Sequence, residues 1–143
     1  MSGPPVRLPP PPNRALLPVL AAVTLVALIV GAWGVLSLVL DRDVIDYPDA
    51  GPLLGPAMVV AAAVVTWLVA WRARTGWSMS IAVFASYLVL ILVGTIGYTL
   101  TTGDVSGMPA VAAHFAINPF VAAATVLSGL VVLSVRALET RPR

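Results

Sequence analysis

The chain has no cysteine, no lysine and a single histidine, and only 10% of its 143 residues are charged. Without cysteine there is no disulfide, no thiolate nucleophile and no cysteine-held metal. With one histidine, a zinc site would need carboxylates to complete it. A soluble domain carries about 25% charged residues, so this chain lacks the polar surface to stand in water. What fills it instead is apolar: 59% hydrophobic residues and a mean hydropathy of +1.00. All eight basic residues are arginine, which together with the Ala/Val/Gly/Pro richness suggests a GC-rich bacterial genome. The basic pI of about 9.7 does not call for a nucleic-acid partner, because the arginines sort as topology signals.

Six of the thirteen prolines, Pro4, Pro5 and Pro9 to Pro12, fall in residues 1–14. That composition neither forms a helix nor buries a core, so a disordered tail is expected. Pro9 and Pro12 also form a PxxP, the pattern of a polyproline ligand; a solvated tail is the simpler reading. Beyond it lie four apolar runs, at about 15–40, 52–71, 77–100 and 110–135, none holding Asp, Glu, Lys or Arg. A helical span needs about 20 apolar residues, so each run is near or above the threshold. The first is too long for a signal-peptide core and is read as a retained span. Residues 136–143 then form a basic tail.

Two starts stay open. Pro56 inside a helix beginning at Pro52 would clash with the carbonyl four residues earlier, so the second helix either begins near Pro56 or is distorted at its outer turn. The fourth run either starts at Ala110 and kinks at Pro119, or uses Asn118 as a cap with Pro119 first in the helix, leaving 110–117 at the membrane interface.

Four spans put the N-terminal tail, the second loop and the C-terminus on one side. That side holds Arg7, Arg14, Arg72, Arg74, Arg136, Arg141 and Arg143, with Glu139 its only acid. The other holds Arg42 with Asp41, Asp43, Asp46, Asp49 and Asp104. Short arginine-bearing segments stay cytoplasmic, so the expected architecture is an all-α, integral membrane four-helix bundle, N-in and C-in, in the bacterial plasma membrane. The aromatic belts agree, with Trp67, Trp71 and Trp77 near the inner face and Tyr47, Tyr98 and Phe115 near the outer one.

Few residues offer chemistry. Asp41, Asp43, Asp46 and Asp49 are oxygen ligands of the kind Ca²⁺ or Mg²⁺ takes, yet the glycine and closing Glu of a calcium loop are missing; a solvated acidic loop is the simpler reading. His114 and Asn118 sit one helical turn apart and with Tyr98 form a candidate polar cluster on the outer face. Thr95, Thr99 and Thr102 form a hydroxyl stripe that either lines a polar path or bonds back to its own helix. Gly31 and Gly34, Ala57 and Ala61, Ser78 and Ala82, Ala85 and Ser86, and Thr125 and Gly129 supply the small residues through which helices approach in lipid. Small four-span multidrug exporters have a similar size but depend on an intramembrane acid that the first span here lacks. No catalytic set and no cofactor site is discernible, so the chain is not expected to be an enzyme. The leading expectation is an accessory subunit acting through helix contacts with itself or another membrane protein in the lipid bilayer. The alternative is an oligomeric transporter or channel for a small solute or ion.

The segment Asp43-Val-Ile followed by Pro48-Asp-Ala-Gly-Pro-Leu-Leu-Gly-Pro56 resembles the first outer loop of an uncharacterised family of small four-span membrane proteins from high-GC Gram-positive bacteria. The resemblance implies the same four-span layout over most of the chain beyond the proline tail. It brings no activity, cofactor or site residue.

Reporter fusions at Gly51, Gly76, Gly103 and the C-terminus should read outside, inside, outside, inside. A cytoplasmic signal at Gly51 would end the four-span arrangement.

Overall fold

The computed structural model describes residues 16–45, 51–72 and 77–139. The proline tail, Asp46, Asp49, Arg74 and the last four residues lie outside them. The described chain is all-helical: α1 (Leu16–Leu40), α2 (Leu54–Arg72), α3 (Ser78–Thr102), α4 (Met108–Ile117) and α5 (Pro119–Glu139). Four of these, α1, α2, α3 and α5, are long and apolar enough to cross a membrane. At about 1.5 Å per residue, the 25 residues of α1 and of α3 reach about 37 Å, more than the roughly 30 Å of a hydrocarbon core.

The ends of the helices follow from local chemistry. Pro18 sits in the first turn of α1, where a missing N–H costs nothing. Pro56 is the third residue of α2, and Ala57 N–H already donates to Leu53 O at 3.0 Å. Pro52 lies in the turn before the helix, so the ring of Pro56 meets no helical carbonyl. At the far end of α3, Gly103 takes φ +70° and its N–H donates to Thr99 O at 2.8 Å. Only glycine enters that left-handed region at no cost. The stretch 110–135 is not one helix. It divides at Asn118 into α4 and α5, and α5 runs on past Arg136 to Glu139, so the start of the basic tail is helical.

The helices pack in the cyclic order α1, α2, α3, α5, and α5 also reaches α2 across the middle. Helix α4 lies in the angle between α3 and α5. Two ends result, an acidic one carrying Asp41, Asp43 and Asp104, and an arginine one carrying Arg72 and Arg136. The core is built from Leu25, Ile29, Met58, Ala62, Leu90, Phe115, Val121 and Ala124. Helix α5 buries the most residues, among them Ala124, Thr125, Ser128 and Gly129, small enough to let neighbours approach from several sides. The outward face of α3 is the opposite, with Phe84, Leu88, Leu92, Ile96 and Leu100 all exposed. In water such a surface would be a liability; in lipid it is solvated.

Helix α4 approaches α3 closely at Gly94. A Cβ at Gly94 would stand 2.9 Å from the buried Phe115 ring. Gly94→Ala should therefore destabilise the protein by about 1–3 kcal/mol, the usual cost of overpacking. Thermal unfolding in mild detergent reads it, and adding Phe115→Leu should recover part of the loss. Strict additivity of the two changes would contradict this contact.

Candidate functional site

The most unusual feature of the helices is the interruption at Asn118. Its backbone is extended (φ −72°, ψ 124°), and Pro119 has no N–H to offer. Several polar groups at the break have partners. Asn118 N–H donates to Phe115 O at 3.3 Å, and Ala122 N–H donates to Asn118 O at 3.1 Å. The Asn118 side chain accepts from Phe120 N–H through Oδ1 at 2.9 Å. From α3, the Tyr87 hydroxyl donates to Ala116 O at 2.9 Å. From α1, the Trp33 indole N–H donates to Phe120 O at 2.8 Å. The Trp33 and Phe120 rings also meet edge to face, with centroids 6.5 Å apart.

The depth of this break explains the attention it receives. Trp33 lies seven residues before the end of α1, and Gly94, against Phe115, lies eight before the end of α3. At about 1.5 Å per residue both place the break roughly 10–12 Å in from the acidic ends. A bilayer centred on these helices has hydrocarbon at that level, where an unpaired backbone group costs several kcal/mol. The Tyr87 hydroxyl and the Asn118 amide meet part of that cost, and Trp33 adds a bond to the first turn of α5.

A second polar constellation sits nearer the arginine end. Ser128 Oγ on α5 lies 2.6 Å from Thr66 Oγ1 on α2 and 2.8 Å from Ser86 Oγ on α3. All three residues are fully buried. Ser128 is the middle of the chain, bonded to both neighbours, so one hydroxyl couples three helices. Among the described residues these hydroxyls bond to one another, and no base is set against them. Ser78 Oγ and Thr95 Oγ1 are also buried, with no hydrogen-bond partner among the described residues.

The residues singled out by sequence are placed as follows. Thr99 Oγ1 donates to Thr95 O at 2.8 Å and Thr102 Oγ1 to Tyr98 O at 3.0 Å, so two of the three stripe hydroxyls are spent on their own helix. Asp41, at φ +48°, and Asp43 are exposed. His114 is half-buried on α4, its ring edge toward Phe115. Helix α4 packs on α3 and α5, and Asp46 and Asp49 of the acidic loop lie outside the described residues. Among the described residues no three of His, Asp and Glu gather in a way that would hold a metal ion. Tyr98 is half-buried on α3, while the Asn118 amide oxygen is committed to Phe120. Asp104 is held below the usual carboxylate range chiefly by the Ser106 hydroxyl, at 2.6 Å, and then by the Ser106 N–H at 2.9 Å.

The structural weight falls instead on Trp33, Tyr87, Thr66 and Ser128, which sequence reading passed over, and on Ser86, which it noted only for its size. The signal was present. Trp33 stands too deep for an interfacial belt, and each hydroxyl sits well inside an apolar run.

The model of a family of unknown function, DUF6121, matches residues 13–142. The chain belongs to that family. No curated protein and no solved structure matches it. The match spans all five helices of this DUF6121 chain, so the break and the hydroxyl chain both lie within the family's extent.

Ser128→Ala leaves Thr66 and Ser86 without their shared partner. At up to about 1.7 kcal/mol per bond in a membrane, the loss should be about 1–3 kcal/mol. Removing all three hydroxyls together (Thr66→Val, Ser86→Ala, Ser128→Ala) should cost less than the single change, because no orphaned group remains. Unfolding in mild detergent makes the comparison; a triple variant worse than the single one would show that the hydroxyls do not act as a unit.

Proposed function

We propose that this DUF6121 chain is a non-catalytic, multi-pass protein of the bacterial plasma membrane with both termini cytoplasmic. It serves as an accessory or interaction subunit, docking α1 against a transmembrane helix of a second copy or of another membrane protein.

One observation carries this reading. Thr24, Ala27, Gly31 and Gly34 follow one another at helical spacing along a single exposed face of α1. A Cβ at Gly31 or Gly34 would meet nothing within 4 Å. Neither glycine is needed for packing within the chain, and each costs about 1 kcal/mol of helix propensity relative to alanine. In lipid, what such residues offer is close approach of another backbone. Of the four long helices, α1 is also the least buried inside the protein.

The oligomeric transporter or channel draws on a different observation, the interruption at Asn118, because broken helices hold substrates in many transporters. Here Ala116 O is taken by Tyr87 and Phe120 N–H by the Asn118 side chain, so those two groups are not offered to a solute. The absence of an acid or base inside the spans supports neither proton coupling nor catalysis.

Purification in mild detergent followed by mass measurement tests the docking face. The wild type should travel with a second copy or a membrane partner, and Gly31→Leu with Gly34→Leu should release it while leaving helix content unchanged. A monomeric, partner-free wild type that supports solute flux in liposomes would replace this reading with the transporter.

A further inference from the structure

At the arginine end, α2 closes on a cleft of about 200 Å³ lined by Leu68, Trp71 and Arg72. The three are spaced i, i+3 and i+4, so they share one face of the last helical turn. Trp71 is 62% exposed, and its ring rests edge-on against Trp67, with centroids 4.9 Å apart. Arg72 is exposed, and no ion pair to it forms among the described residues. The volume falls below the roughly 300–1,000 Å³ of an enclosed small-molecule site. It suits a ligand that brings most of its bulk from the side.

We infer that this cleft seats an anionic phospholipid, with the lipid phosphate on the Arg72 guanidinium and the start of an acyl chain along Leu68 and Trp71. Three points of chemistry converge. Arg72 ends the apolar run of α2, which puts its guanidinium at the level where headgroup phosphates lie. Guanidinium pairs with phosphate through two parallel N–H donors, a fit that a zwitterionic headgroup weakens by adding its own cation. The aromatic pair supplies a fixed wall at the depth where indoles favour the headgroup boundary. The carbonyls that end α2 oppose an anion with about half a charge, which the full charge of Arg72 outweighs. The inference stands apart from the docking face on α1. It needs only that the end of α2 reach the headgroups, and basic pockets at that level are the ones that hold anionic lipids.

Native mass spectrometry of the full chain in mild detergent, with added phosphatidylglycerol or phosphatidylcholine, tests it. The wild type should retain phosphatidylglycerol about tenfold better than phosphatidylcholine, and Arg72→Gln should abolish that preference, as expected for loss of a charge-assisted bond. Leu68→Ala should weaken retention of both lipids, while Arg136→Gln should leave the preference intact. Equal retention by Arg72→Gln and wild type would overturn the assignment. So would displacement of the lipid by inorganic phosphate at equal concentration, which would make the cleft a simple anion site. The same spectra report oligomeric state, so failure of the docking reading registers separately.

Discussion

In a hydrocarbon solvent every backbone N–H and C=O must find its partner within the protein, and the rest of this structure is arranged around the one place where that is hard to achieve. Uninterrupted helices satisfy the rule by themselves. The junction at Asn118 does not, and it draws one side chain from α1, one from α3 and its own amide into the gap. These bonds also set positions. Trp33 ties the start of α5 to α1, and Tyr87 ties the end of α4 to α3, so α5 is led into the middle of the helices rather than along their edge.

Small residues then divide into two populations with opposite consequences. Those facing inward remove distance. Gly94 makes room for the Phe115 ring, and Gly129 lies so near Val83 that a methyl group there would stand 2.5 Å from it. Between them, Ser128 brings α5 within hydrogen-bonding reach of α2 and α3 at once. Those facing outward, Gly31 and Gly34, remove nothing that this chain needs. In water, an exposed glycine is a loss of helix propensity; in lipid, where no hydrophobic force draws helices together, it is an invitation to contact. The same residue type therefore builds the interior and marks the surface through which the protein is proposed to act.

The two ends differ in chemistry as much as the two kinds of face. At the acidic end Thr99 and Thr102 turn to their own helix, and Asp104 to Ser106. At the arginine end Arg72 stays exposed beside a tryptophan pair. Both proposed recognition surfaces, the α1 face and the end of α2, accordingly lie in or against the bilayer.

Composition and run length alone determine a great deal about this protein. Apolar stretches of helical-span length, bounded by Asp41, Arg72, Asp104 and Arg136, locate the four long helices, because the bilayer core sets a length and charge is excluded from it. Gly103 and Pro119 mark an end and a start for reasons local to the backbone. What sequence could not decide is which polar residues meet. Thr66, Ser86 and Ser128 are separated by at least twenty residues, and a hydroxyl inside an apolar run reads the same whether it bonds to its own helix, as Thr99 does, or to another, as Ser128 does. Only the packing of α5 between α2 and α3 makes that distinction. Likewise, Asn118 and Pro119 announce a boundary in the chain, but only the packing shows Tyr87 from α3 bonding the end of α4 and Trp33 from α1 bonding the start of α5.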